Sequence, residues 1–404
     1  MREDPVREGP LAGASPDLDT VLGLYAPTRG EPAFDPGAIA AAAEDIVTTP
    51  AVNTGHPFLD LSVKVGLAHI GATFQGGHPK YGAKQYAAEE HDGFPPTIIA
   101  AVDALSAWGL SERAGRLFRY WLLHFVNDDG SIAYYGPSLG EHGQLLHTAA
   151  LLLDRAGPGD WLDEEALRRL DRLARRLLRL RQEAEKHGGL LVGVPEADTR
   201  TQVATYFHNN AWLAAGLRRW AGVRAQLGDA PGSWQETLHH TADALAADTL
   251  LAIQHTWPAD PDDWWLSPQL EPAPRPQSLT DGLLACYTNY RYWPELLSSG
   301  LLPPALANRL VEARLSAGGQ FCGMTRFGDH LDDWPLADYL AGLWALGRKD
   351  DFLLSLYGHV AYHQAEEHLT AYEQVSLPPG EEIAPYCLPC QLVAARAARV
   401  LVKG

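Results

Sequence analysis

Residues 163–187 read DEEALRRLDRLARRLLRLRQEAEKH, and their reading decides the fold class. Leu170, Leu173, Leu177, Leu178 and Leu180 recur at helical spacing, with Arg168, Arg169, Arg172, Arg175 and Arg176 set between them. That periodicity predicts a helix with one apolar face against a core and one solvated face. The arginines belong to the solvated face.

The same period recurs on both sides of this segment. It predicts helices at 36–48, 58–72, 95–109, 111–126, 140–156, 163–187, 201–227, 233–256, 279–298, 303–316, 335–347, 349–369 and 389–402, with almost no strand signal. Some connections are brief, such as Gly109-Leu110-Ser111 and Gly347-Arg348-Lys349. Others, at 74–96, 127–140, 187–201, 257–280, 319–334 and 369–389, are long and loaded with aromatic, acidic and glycine residues. Antiparallel helix hairpins arranged in a ring put short turns at one end and gather long loops at the other. The expected fold is therefore all-α, an (α/α)6 barrel over 36–404. The Pro- and Gly-rich segment 1–35 reads as an irregular lead-in. No repeat of fixed period is visible, which argues against a solenoid.

The net charge of -18, from 50 acidic against 32 basic side chains, repels phosphate backbones and anionic lipid, so nucleic acid is excluded as a partner and neutral sugars are not. No apolar run reaches the ~20 residues a spanning helix needs, and the first residues lack a signal-peptide centre, so no membrane association and a cytoplasmic location are expected. The sequence carries no signal of oligomeric state. Four cysteines in a chain of 404 residues do not make a disulfide framework. Cys387-Leu388-Pro389-Cys390 has redox or zinc spacing but no second such pair, and it reads as small buried side chains opening a helix. His359 and His363 lie four apart on one helical face without the His-Glu-x-x-His pattern, and they read as structural. No metal and no cofactor is expected.

Two loop glutamates carry the chemistry. Glu196 lies in Gly193-Val194-Pro195-Glu196-Ala197-Asp198, where glycines and a proline hold an extended loop. Glu196 and Asp198 would equally suit the first turn of the helix expected from 201. Glu373 lies in Ala371-Tyr372-Glu373-Gln374, where the phenol and amide can hold a water beside it, or it is an ordinary loop glutamate. Two such carboxyl groups are what glycosidic cleavage requires, one to protonate the departing oxygen and one to activate water. Asp92 before Gly93 is a candidate for binding sugar hydroxyls, or a plain Asp-Gly turn. Glu141 is a candidate substrate ligand or a helix-start acid, and Tyr134 and Tyr135 are candidate stacking platforms. Trp334 after Asp332-Asp333, and Trp264 with Trp265 after Asp262-Asp263, place indoles in loops beside acids, a pairing suited to a carbohydrate pocket. Asp260-Pro261-Asp262-Asp263 also matches the short acidic string of proton-initiated terpene cyclases, without their other signatures.

From the order and context of these loops the chain resembles the six-hairpin glycosidase superfamily, and within it the glucoamylase-type glycoside hydrolases, over about residues 74–400. The resemblance implies a general acid at Glu196 and a general base at Glu373, whose following Gln374 matches the family. The family's early Arg-Asp pair would fall on His91-Asp92, so the arginine is missing. The expected enzyme is an inverting, metal-independent glycoside hydrolase acting on a small carbohydrate, with Asp92, Asp198, His208 and Trp334 shaping its subsite. Two alternatives share the barrel: a sugar 2-epimerase resembling the N-acylglucosamine epimerases, with His208, His359 and His363 as its candidate acid and base, and a non-catalytic carbohydrate-binding protein.

Overall fold

A computed structural model of the chain describes residues 52–74, 78–82, 86, 91–134, 138–185, 188–196, 200–228, 234–365, 369–377 and 386–402, together with 37, 41 and 44. The expected helix at 36–48 and the lead-in before it lie almost wholly outside the described residues.

The described chain is mostly helical. Helix α1 spans Pro57–Thr73, α2 Pro95–Ala107, α3 Ser111–Phe125, α4 Gly140–Ala156, α5 Glu164–Ala184, α6 Phe207–Gln226 and α7 Trp234–Thr256. A bent helix follows, built of α8 (Gly282–Tyr287), a π turn (Thr288–Tyr292) and α9 (Trp293–Ser298). After it come α10 (Pro304–Ser316), α11 (Leu336–Ala345), α12 (Lys349–Tyr362), α13 (Leu388–Gln391) and α14 (Val393–Ala398). The deciding segment behaves as its pattern requires. Asp163 caps α5 by accepting from the Ala166 amide at 2.9 Å. Leu170, Leu173, Leu177 and Leu178 are buried, while Arg172 and Arg176 reach Asp128 and Asp129 at 2.7 and 2.9 Å. Such half-exposed pairs contribute little stability, so burial of the leucine face holds this helix.

Helix contacts run in a cycle. Helix α2 packs on α4, α4 on α6, α6 on α9, α9 on α11, α11 on α14, and α13 and α14 return to α2. Helices α3, α7 and α12 pack against their sequence neighbours α2, α6 and α11, and α1 packs against α13 and α14. The approach of α4 to α6 is closest at two glycines: a Cβ on Gly143 would run into the Trp212 carbonyl, and one on Gly216 into the backbone of Gly143. Backbone atoms cannot step aside as a flexible side chain can, so Gly143→Ala should destabilise the fold by about 1–3 kcal/mol. Guanidinium unfolding measures this, and an unchanged midpoint would refute the close packing.

The expected absence of strands is corrected in one place. Strands β1 (Gln320–Phe321), β2 (Met324–Phe327), β3 (His330–Asp332) and β4 (Gln374–Ser376) form an antiparallel sheet in that order. Phe327 pairs with His330 across Gly328-Asp329, a two-residue Gly-Asp hairpin turn that the sequence displays. What the local sequence lacks is any mark that β4 will pair with β3, because that partner is over forty residues away in the chain.

Candidate active site

The sheet creates the site by lacing two distant loops. Asp332 sits opposite Gln374 in the β3–β4 register, and Gln374 Nε2 donates to Asp332 Oδ2 at 2.9 Å. The Asp333 amide donates to the Glu373 carbonyl at 3.4 Å, and the Trp334 amide to Asp332 Oδ1 at 3.1 Å. Asp332, Trp334, Glu373 and Gln374 thereby line one cavity of about 200 Å³. Its remaining wall carries Glu196, Arg291 and the rings of Tyr81, Tyr86, Phe94, Tyr287, Tyr290 and Phe327. Both glutamates singled out in the sequence reach this cavity, although their loops lie far apart in the chain.

Glu196 is positioned by the first turn of α6. Asn209 Nδ2 donates to the Val194 carbonyl at 2.9 Å. Asn210 brackets Leu191, accepting from its amide at 2.9 Å and donating to its carbonyl at 3.0 Å. His208 Nε2 donates to the Pro195 carbonyl at 3.0 Å. Burial pushes the His208 imidazole down to about 3, so it is a neutral ring stacked on Tyr292. Its observed place is behind Glu196, holding the backbone.

Arg291, on this wall, is fully buried, with three carboxylate partners. It donates to Glu295 at 2.5 Å, to Glu196 at 2.7 Å and to Glu141 at 2.8 Å. Its guanidinium also lies 5.1 Å from the centre of the Trp334 ring, a cation–π distance. Arg291 stands in the π turn. Pro294, one residue into α9, lacks an amide hydrogen and cannot complete the α-ladder to Tyr290, which is the ordinary cause of such a local widening. Burial pushes the Glu295 carboxyl up to about 8 against the pull of Arg291, so the charged form is harder to hold here than on an exposed carboxylate.

The Glu373 side is more strongly perturbed. Burial first, then the Cys387 thiol and the Asp332 carboxyl, push Glu373 well above the carboxylate range. Burial pushes Asp332 up to about 7, against the hydrogen bond from Gln374. The Tyr81 hydroxyl donates to Glu373 Oε2 at 3.4 Å. Two carboxyls beside one another in a low-dielectric pocket resist being charged together, and their titration belongs to the pair.

The other sequence candidates divide. Trp334 lines the cavity. Glu141 is buried against Arg291, one partner removed from the lining. Asp92 is buried, bonded to His78 Nε2, with Lys80 Nζ at 3.8 Å, and is not among the lining residues. Asp198 and Tyr135 lie outside the described residues. Trp264 and Trp265 pack on the main core. His359 and His363 are wholly buried around Asp333. Among the described residues the cavity lining contains no histidine.

Sequence reasoning missed Arg291, Asp332 and the tyrosines Tyr81, Tyr86 and Tyr290. A signal existed for Arg291, a lone charge in the aromatic run Tyr287-Thr288-Asn289-Tyr290-Arg291-Tyr292-Trp293. A cation embedded in apolar surroundings calls for buried acidic partners.

Compared by sequence, the chain matches no family model and no curated protein. Solved structures do resemble it. A wild-type glycosidase aligns at TM-score 0.59 and 15% identity over 86% of this chain and 98% of that chain. A metal-independent α-mannosidase from Streptococcus pneumoniae, in a non-productive complex with α-1,6-mannobiose, aligns at TM-score 0.55 and 9% identity over 91% and 99%. An unsaturated glucuronyl hydrolase specific for heparin aligns at TM-score 0.52 and 12% identity over 85% and 95%. The chain therefore has a glycosidase fold.

Proposed function

We propose that this protein is a glycoside hydrolase built on an (α/α)6 barrel, and that it cleaves a small glycoside with inversion at the anomeric carbon. The observation that carries this reading is the joint lining of one aromatic cavity by Glu196 and Glu373, whose loops are brought together only by the ring. Aromatic faces stack on sugar C–H faces while acids take the hydroxyls, and the tyrosine wall with Trp334 suits that task. The cyclic order of helix contacts supports the barrel. The lack of a histidine in the described lining favours this reading over the epimerase.

In the reaction, Glu196 gives a proton to the glycosidic oxygen, and Glu373 takes one from a water attacking the opposite face of the sugar. The water's hydroxyl joins the anomeric carbon as the bond to the leaving oxygen breaks. Inversion requires the two carboxyls to stand about 6.5–9.5 Å apart with that water between them. Asp332, bonded to Gln374, orients the base side. Incubation with α- and β-linked disaccharides, with NMR of the first-formed anomer, tests the function. Release of the inverted anomer is expected, and retention would exclude a base role for Glu373.

The pH profile carries a signed prediction. A base works only when deprotonated, so activity should be full above the pKa of Glu373 and fall as pH drops through it. Because that value is raised, the acid limb of kcat/KM should lie well above the ordinary carboxylate range. Asp332→Asn removes one cause of the rise, so the acid limb should move to lower pH. Movement of the alkaline limb instead would reverse the roles of the two glutamates.

A further inference from the structure

Helix α12 ends in two histidines that the proposed hydrolysis does not use. His363 Nδ1 lies 2.9 Å from the Tyr372 carbonyl, an atom that can only accept, so this nitrogen carries the ring hydrogen. His359 Nδ1 lies 3.2 Å from Asp333 Oδ2 and donates in the same way. On the neutral tautomer so fixed, the ring's lone pair falls on Nε2. Both Nε2 atoms are buried without a hydrogen-bond partner, and both residues are 0% exposed. The arrangement at His363 is worse than unsatisfied, because Asp333 Oδ2 stands 3.3 Å from its Nε2.

The Cys390 thiol, at the start of the last helical segment, closes the group. Ligand atoms of His359, His363 and Cys390 all lie within 4.8 Å of one another, and all three residues are buried. Metal-bound histidines commonly donate their second nitrogen to a carboxylate or backbone carbonyl, which fixes the tautomer and orients the lone pair. Here Asp333 and Tyr372 already occupy those outer positions. One sulfur and two imidazole nitrogens select zinc over magnesium or calcium, which prefer oxygen.

We propose that His359, His363 and Cys390 form a structural zinc site that staples the end of α12 to α13 behind the loop that carries Glu373. On binding, a Zn–S bond replaces the S–H bond of Cys390 and the proton leaves to solvent. The site holds the backbone at Tyr372 through His363, whose Nδ1 lies 2.9 Å from the Tyr372 carbonyl. Tyr372 precedes Glu373, so the metal would stiffen the base loop without touching substrate.

The test is metal analysis of the full-length chain produced in zinc-supplemented medium and passed over a sizing column. About one zinc per chain is expected. Exchange with cobalt should give the intense thiolate-to-cobalt charge-transfer absorption of a tetrahedral sulfur site. Cys390→Ser should lose that band and the bound metal, while Cys322→Ser, at an exposed cysteine, should keep both. Should Cys390→Ser fail to fold, zinc titration of the metal-stripped wild type against a chromophoric chelator replaces it. Under ~0.1 zinc per chain with no competition against the chelator would overturn the proposal, as would a Cys390→Ser protein that retains the wild-type zinc. None of these readouts depends on glycosidase activity.

Discussion

Glu373→Gln is expected to lower turnover by about 10²–10⁴-fold while leaving the unfolding midpoint close to that of the wild type. The amide matches the carboxyl in size and accepts the Tyr81 hydroxyl as the carboxyl oxygen does. It cannot take a proton from water, so the loss should fall on kcat more than on KM. Glu196→Gln should lose as much on substrates with poor leaving groups, and far less on aryl glycosides whose leaving group needs no proton. That contrast separates acid from base within one experiment. Steady-state rates on a disaccharide and an aryl glycoside provide the check, and a Glu373→Gln enzyme with more than about a tenth of wild-type turnover would remove Glu373 from the mechanism.

Replacing the central cation should damage the fold more than the chemistry. Arg291→Met leaves Glu141, Glu196 and Glu295 packed together with their shared partner gone, and their side chains are at most 4% exposed. Removing one partner of a buried ionic group typically costs about 3–5 kcal/mol, because the remaining charges stay desolvated and uncompensated. The loss should also grow with pH. A carboxyl whose folded-state pKa is raised folds without penalty below its ordinary value, and loses stability progressively as pH rises toward the raised one. Glu295 is already pushed up to about 8 with Arg291 present, so without the guanidinium the deficit should widen from mildly acidic toward alkaline pH. Denaturant unfolding at several pH values measures it. A deficit under about 1 kcal/mol at every pH would mean that the three acids are satisfied in some other way.

Helix type and order were legible from the chain because each helix advertises its own face. The leucines of α5 at three- and four-residue spacing need no distant partner to be recognised. The alternation of short and long connections was also local information, and it marked the loops that carry Glu196 and Glu373. The strand β4 was not legible. Gln374-Val375-Ser376 has no period of its own and becomes a strand only because β3, ending at Asp332, lies alongside it. Asp332 was passed over for the same reason, since its neighbour Glu373 enters from another loop. His359 and His363 were recognised as a spaced pair, but neither spacing nor composition could bring Cys390 and the Tyr372 carbonyl to them.

Periodicity, capping and charge are properties of neighbouring residues, so the order of amino acids alone settled the helical class and the loops that carry acids. Convergence is a property of packing. Which carboxyls share a cavity, which one is held by a buried arginine, and which is pushed toward protonation depend on distances between residues far apart in the chain, and only the packing of the helices sets those distances.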